Sequence, residues 1–197
     1  MNAGVHAPGS LDRRAVVASL LERRGDALVV SGLGSPSYDV HAAGDDPHNY
    51  YLWGAMGAAA LVGLGLAQAR PDRPVLVITG DGEQLMGLGG LATIAVAAPS
   101  NLTVVVLDNG HFGETGMQRS HTGAGVELAA VASAVGFRHA EVITTWDQVE
   151  ALEVAGEGPR LFTVKVKAEN LPRSLPSRDA VFIKNRFRSG LGLGDPS

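Results

Sequence analysis

Three glycine-marked stretches hold the side chains best suited to chemistry. They are Gly32-Leu33-Gly34-Ser35-Pro36, Gly80-Asp81-Gly82-Glu83 and Asp108-Asn109-Gly110-His111. Taken singly, each is ordinary. Gly80-Asp81-Gly82 reads as a tight turn with Asp81 capping a helix, and Asn109-Gly110 is a common turn pair. Taken together they say more. Asp81 and Asn109 stand 28 residues apart, each at the end of an apolar run. Both offer hard oxygen donors, and magnesium takes oxygen ligands and often bridges phosphates. Gly80 and Gly82 leave room for a phosphate to reach backbone N–H groups at a helix start. The chemistry implied is a metal-bridged diphosphate.

The elements that must position these residues follow from the apolar pattern. Short runs at 27–31, 75–79, 102–108, 138–143 and 160–167 read as buried strands. Helices are expected at 11–24 with Ser10 as cap, and at 52–69, 84–98, 126–135 and 145–155. Loops are expected at 32–50 and 109–124. Alternating helices and strands predict a three-layer α/β/α domain around a mainly parallel sheet of about five to six strands. In such sheets ligands bind beyond the carboxyl ends of the strands, where all three glycine-marked stretches must lie. The expected divisions are a flexible tail at 1–9, the binding domain at 10–170 and an irregular extension at 171–197.

Composition excludes several classes. The 197 residues include no cysteine, which removes disulfide frameworks, thiol nucleophiles, zinc–thiolate sites and iron–sulfur clusters. A net charge of −4 argues against a broad nucleic-acid surface. The apolar stretch from Tyr50 to Ala69 approaches the length of a membrane span, but Gly54, Gly57, Gly63 and Gly65 make it read as a buried core helix. Residues 1–9 show no export signal, so a cytoplasmic protein with no membrane contact is expected. His41 and His48 read as structural or solvated, and Arg186 and Arg188 as interface or solvated residues. Glu83 is expected to act through its backbone N–H rather than its carboxylate.

Gly80-Asp81-Gly82, followed after a helix and a strand by Asp108-Asn109, resembles the diphosphate-binding motif of thiamine diphosphate enzymes. Asp108 stands where that motif has its first Asn. The resemblance covers about residues 25–167. It is closest to the sulfopyruvate decarboxylase small subunit and the matching half of phosphonopyruvate decarboxylase, through Asn49-Tyr50-Tyr51, Met56-Gly57, Gly113-Glu114-Thr115-Gly116, Gln118 and His121-Thr122.

The resemblance implies the thiamine diphosphate-binding fold, with thiamine diphosphate and Mg2+ as cofactors. It implies Asp81, Asn109 and the main-chain carbonyl of His111 as metal ligands. Gly34, Ser35, Gly54, Met56, Gly80, Gly82, Glu83, Asn109 and Phe112 would contact the cofactor, with Met56 propping it in a bent shape. Glu114, Thr115 and His121 are the candidate catalytic residues. The implied activity is decarboxylation of a 2-oxoacid to an aldehyde. The alternatives are an acyloin or acetolactate-type carboligase and a non-catalytic phosphate- or nucleotide-binding module. One helix precedes the first strand, so a pyrimidine-domain partner is expected to supply the activating Glu, in an assembly of two chains of each kind or larger. Asp39, Asp45 and Asp46 stand in a loop without Lys or Arg, where the subgroup carries basic residues, which favours an uncharged distal group on the substrate. Arg119 is the local cation best placed to help otherwise.

Overall fold

The computed structural model describes residues 9–194; of the expected N-terminal tail, residues 1–8 lie outside them. Eight helices and eight strands are present among the described residues. In chain order they are α1 (Arg13–Glu22), β1 (Leu28–Ser31), α2 (Ser35–Ala42), β2 (Asn49–Tyr51), α3 (Ala59–Ala69), β3 (Val75–Gly80), α4 (Asp81–Met86) and α5 (Gly90–Ala97). Then come β4 (Leu102–Asp108), β5 (His111–Phe112), β6 (Gln118–Arg119), α6 (Leu128–Val135), β7 (His139–Ile143), α7 (Trp146–Ala151), β8 (Arg160–Lys165) and α8 (Ala180–Gly190). Six strands form one sheet in the order β2-β1-β3-β4-β8-β7, and every pairing in it is parallel. The three-layer architecture expected from the sequence is present. No described helix is long and apolar enough to cross a membrane.

The apolar strands split by alternation into two cores. Val29, Leu76, Ile78, Val105 and Val164 face Val16, Val17 and Leu20 of α1 and Val149 of α7. Leu28, Val30, Val77, Val104 and Leu161 face α3, α5 and α6 through Leu64, Ile94, Leu128 and Ala132. Successive side chains of a strand point to opposite faces, so a strand apolar throughout must be covered twice. The direction of the crossovers reverses between β1 and β3. β1 leads outward to β2, whereas β3 leads the other way to β4. A crevice opens at such a switch point, beyond the strand ends.

Several boundaries differ from expectation. Helix α1 is capped by Asp12, not Ser10, with Asp12 Oδ1 accepting from Ala15 N at 2.8 Å. The expected loop at 32–50 contains α2 and β2. The helix expected from 52 begins only at Ala59, because Gly54 (φ 71°) and Gly57 (φ 93°) adopt left-handed backbone. The helix expected at 84–98 is two helices, and the first starts at Asp81 itself. The loop at 109–124 holds the β5–β6 hairpin, and α8 replaces part of the irregular extension expected from residue 171. Helix α8 was invisible because its apolar face is short, yet Phe187 meets Tyr50 edge-on at 5.5 Å.

Candidate active site

A cavity of about 200 Å3 lies at the switch point. Leu33, Ser35 and Pro36 line it after β1, Gly80, Asp81, Gly82 and Glu83 after β3, and Asn109, His111 and Phe112 after β4. Met56, Glu114 and Thr115 complete most of the wall. The three glycine-marked stretches therefore meet. A Cβ on Gly82 would lie 2.6 Å from the Phe112 ring, so only glycine lets that ring close over the start of α4. Gly80 caps α4 without a side-chain hydrogen bond.

Asp81 is the electrostatic centre. It is 3% exposed. Its Oδ2 accepts from Ser120 Oγ at 2.5 Å and from Thr122 Oγ1 at 2.9 Å. No Lys, Arg or His among the described residues forms an ion pair with it. Burial first, and then the nearby Asp108 carboxylate, push its pKa up to about 6 despite those hydroxyls. A buried carboxylate without a counter-charge is costly, and a bound cation removes the cost. Asn109 Oδ1 accepts from His111 N at 2.9 Å, an Asx turn that orients the amide at the cavity wall. Asp81, Asn109 and His111 all line this cavity, and carboxylate, amide and carbonyl oxygens are donors of the kind magnesium takes. The residues present fit a divalent cation beside a diphosphate.

Asp108, by contrast, is balanced. Lys165 Nζ donates to its Oδ2 at 2.7 Å and to Glu127 Oε1 at 2.8 Å. Burial pulls the Lys165 pKa down, but these two hydrogen bonds more than offset it and leave it raised. Asp108 Oδ1 accepts from Gly110 N and from Thr122 Oγ1. Thr122 thus lies between the two carboxylates. Ser120 and Thr122 carry this arrangement; at the sequence level Thr122 entered only through the subgroup resemblance of His121-Thr122, and Ser120 had no role. Two hydroxyls flanking a candidate site residue were the available signal.

Glu83 departs from expectation. Its carboxylate is buried, and Oε2 accepts from Leu33 N at 3.0 Å and Thr79 Oγ1 at 2.9 Å. Burial raises its pKa, offset in part by Thr79 and by the amides of Gly57, Ala59 and Leu33. The side chain ties the turn after β1 to β3, so the carboxylate matters as a post. Gly34, with φ 78°, packs against the Glu114 side chain rather than lining the cavity. Gly54 does not line it either, and neither does His121, which is exposed and stands edge-on to Phe112 at 6.3 Å. Arg119 is exposed on β6 and donates to Gly123 O.

The loop carboxylates are not free negative charge. Asp39 is fully buried and accepts from Arg13 Nε at 2.5 Å and Arg14 Nε at 3.1 Å. Asp45 pairs with Arg186 Nη1 and accepts from the Tyr51 hydroxyl. Asp46 lies 3.9 Å from Arg24 Nη2. The cations come from α1, the turn after it and α8, distant in sequence, so the argument for an uncharged substrate loses its basis. Arg186 also donates to Asn49 O, and His48 Nε2 bonds Gly190 O, which makes both structural ties to α8. Arg13 lines the cavity and was missed, because nothing near it in sequence marks it.

Comparison with known proteins gives the family and the fold. Residues 34–166 match the thiamine pyrophosphate enzyme, C-terminal TPP binding domain family. The chain is 40% identical over 178 residues to a phosphonopyruvate decarboxylase of Streptomyces viridochromogenes, covering 86% of this chain and 43% of that protein. It is 39% identical over 162 residues to the sulfopyruvate decarboxylase subunit beta of Methanothermobacter thermautotrophicus, covering 82% of this chain and 85% of that subunit. The chain thus spans less than half of the phosphonopyruvate decarboxylase and most of the beta subunit. A candidate thiamin diphosphate-dependent enzyme from Mycobacterium smegmatis shares the fold, with a TM-score of 0.68 at 24% identity over 83% of this chain and 34% of that one.

Proposed function

We propose that this chain, which belongs to the thiamine pyrophosphate enzymes through its C-terminal TPP binding domain, is the diphosphate- and magnesium-binding half of a two-subunit 2-oxoacid decarboxylase. The observation that carries the reading is Asp81, a buried carboxylate at the switch-point cavity with hydroxyl partners and no cationic one. The names of the relatives, sulfopyruvate and phosphonopyruvate decarboxylase, point to the same reaction class.

Thiamine diphosphate, when bound, supplies an electron sink for the electron pair left when a 2-oxoacid loses carbon dioxide. The chain's own residues hold and shield it. Asp81 and Asn109, with the His111 carbonyl, would hold Mg2+, and the metal in turn would neutralise the diphosphate. The missing side chain of Gly80 would let phosphate oxygens approach the first N–H groups of α4, while Gly82 makes room for the Phe112 ring. Met56, in the cavity wall, gives the cofactor an apolar prop. Phe112, also in the wall, would add apolar cover beside it. Glu114 and Thr115 stand in the wall and are the groups positioned to orient the 2-oxoacid or hold a proton.

A cytoplasmic partner with a pyrimidine-binding domain would supply the activating Glu, in an assembly of two chains of each kind or larger. The beta-subunit relatives and the exposed apolar residues support this. Met56 of the cavity wall is exposed, as are Leu61 of α3 and Met86 of α4. Exposed apolar area of this kind marks an interface. The test is to assemble the chain with its partner and measure metal-dependent thiamine diphosphate binding and carbon dioxide release. Tight binding and release, both lost in Asp81→Ala, are expected. Retention of cofactor and metal by Asp81→Ala overturns the assignment.

A further inference from the structure

The segment between β8 and α8 touches the cavity wall at Glu114 and lies outside the matched domain, which ends at residue 166. It has no regular secondary structure from 169 to 179, yet it is tied down at four points. Arg13 Nη1 donates to Glu169 O at 3.4 Å and Arg14 Nη2 to Pro172 O at 2.7 Å. His41 Nδ1 bonds Ser174 Oγ at 2.8 Å, and Trp53 Nε1 donates to Ser177 O at 2.8 Å. These ties come from α1, α2 and the loop before α3. They place one side chain, Arg173, beside the cavity wall. Its Nη2 lies 3.0 Å from Glu114 Oε2, and its Cζ stands 5.7 Å from the centre of the Tyr38 ring.

We propose that Arg173, seated on Tyr38 and beside Glu114, is the specificity-determining residue of a subsite that binds an anionic distal group of the substrate. The inference rests on the 2-oxoacid decarboxylase reading. A guanidinium has five N–H donors in a planar fork, and Glu114 engages it through a single nitrogen. The other donors of the fork are left for a ligand, and the side chain is 60% exposed. An exposed pair of this kind holds weakly, so the guanidinium can turn to a second anion at little cost. The Tyr38 face holds its plane meanwhile. A carboxylate, sulfonate or phosphonate one carbon beyond a 2-oxo group is the matching chemistry, since such anions take two parallel N–H bonds. The cation that does line the cavity, Arg13, is already committed to buried Asp39. The positive charge that the loop at 35–48 lacks therefore arrives from the C-terminal segment.

The experiment compares 3-sulfopyruvate with uncharged 2-oxobutanoate in the assembled enzyme, wild type against Arg173→Gln. Arg173→Gln should lower kcat/KM for sulfopyruvate about thirtyfold or more and leave 2-oxobutanoate within about threefold, with Arg173→Lys in between. Thiamine diphosphate affinity and thermal midpoint should stay at their wild-type values. An equal loss on both substrates, or none on sulfopyruvate, overturns the subsite. If no 2-oxoacid is decarboxylated at all, the decarboxylase reading falls, and the subsite is then judged by calorimetry with 3-sulfopropanoate. Binding weakened about tenfold or more in Arg173→Gln upholds it; equal binding, or none to wild type, ends it.

Discussion

Lys165 Nζ lies 2.7 Å from Asp108 Oδ2, and both side chains are almost fully buried. β8 and β4 are neighbours in parallel register, with Asp108 opposite Lys165, so the sheet itself brings the pair together. The pair balances one of two adjacent carboxylates behind the cavity and leaves Asp81 as the one without a counter-charge. Breaking a buried pair from one side strands a charge, at a cost of about 3–5 kcal/mol. Lys165→Met should therefore destabilise the chain by that amount in urea unfolding. Asp108→Asn with Lys165→Met should recover most of it, because the only carboxylate then left without Lys165 is the partly exposed Glu127. Additive losses in the double variant would show that the two residues act separately.

Asp81 invites substitutions with opposite effects on fold and ligand. In metal-free chain, Asp81→Asn removes a desolvated charge while keeping an oxygen for Ser120 and Thr122. Unfolding free energy should rise by about 1–3 kcal/mol. With Mg2+ and thiamine diphosphate present, the same variant should bind the cofactor about a hundredfold more weakly, or worse. Asn109→Ala, losing a neutral donor, should weaken it less. Chelation of the metal from wild type should release the cofactor, and added Mg2+ should restore it. A destabilised metal-free Asp81→Asn would mean that the carboxylate is structural.

Met56 is 41% exposed on a loop, not packed within a helix. A full core truncation costs about 2–5 kcal/mol, and a half-exposed side chain loses far less, about 1 kcal/mol. Met56→Ala should move the thermal midpoint by only a few degrees and lower turnover of the assembled enzyme strongly. A large drop in midpoint with unchanged turnover returns Met56 to an ordinary packing role.

Gly32 sits against the Glu83 carboxylate, with no space for a Cβ between them. Gly32→Ala must push Glu83 away from Leu33 N and Thr79, at a cost of about 1–3 kcal/mol. Because that carboxylate anchors the turn after β1 at the cavity, cofactor affinity should fall with stability. The double variant Gly32→Ala, Glu83→Gln should show no further loss if the clash acts through Glu83. A single variant as stable as wild type would show that Glu83 is not the anchor.

The alternating apolar strands, the parallel sheet and the strand-end position of Asp81 and Asn109 were legible in the sequence. Those features depend on local period and on the rule that strand ends carry the ligands, neither of which needs distant contacts. Helix boundaries were less legible where glycines intervene. The run from 52 to 69 has helical composition, but Gly54 and Gly57 turn left-handed and the helix waits until Ala59. Helices α2 and α8 went unread because neither carries a long apolar face; α2 follows a Gly-Ser-Pro start, and α8 is held by a few contacts such as Phe187 on Tyr50.

Charge compensation was decided by the tertiary structure alone. The loop with Asp39, Asp45 and Asp46 looked like uncompensated negative charge, yet Arg13, Arg14 and Arg24 reach it from α1 and the turn that follows, and Arg186 from α8. Asp108 and Lys165 are 57 residues apart and meet only because their strands are adjacent. Arg173 reaches Glu114 from 59 residues away. Sequence spacing determines which residues share a strand end. It carries no information on which distant cation will lie within a few ångströms of a given carboxylate, and the Coulomb energy depends on that separation and on the burial around it.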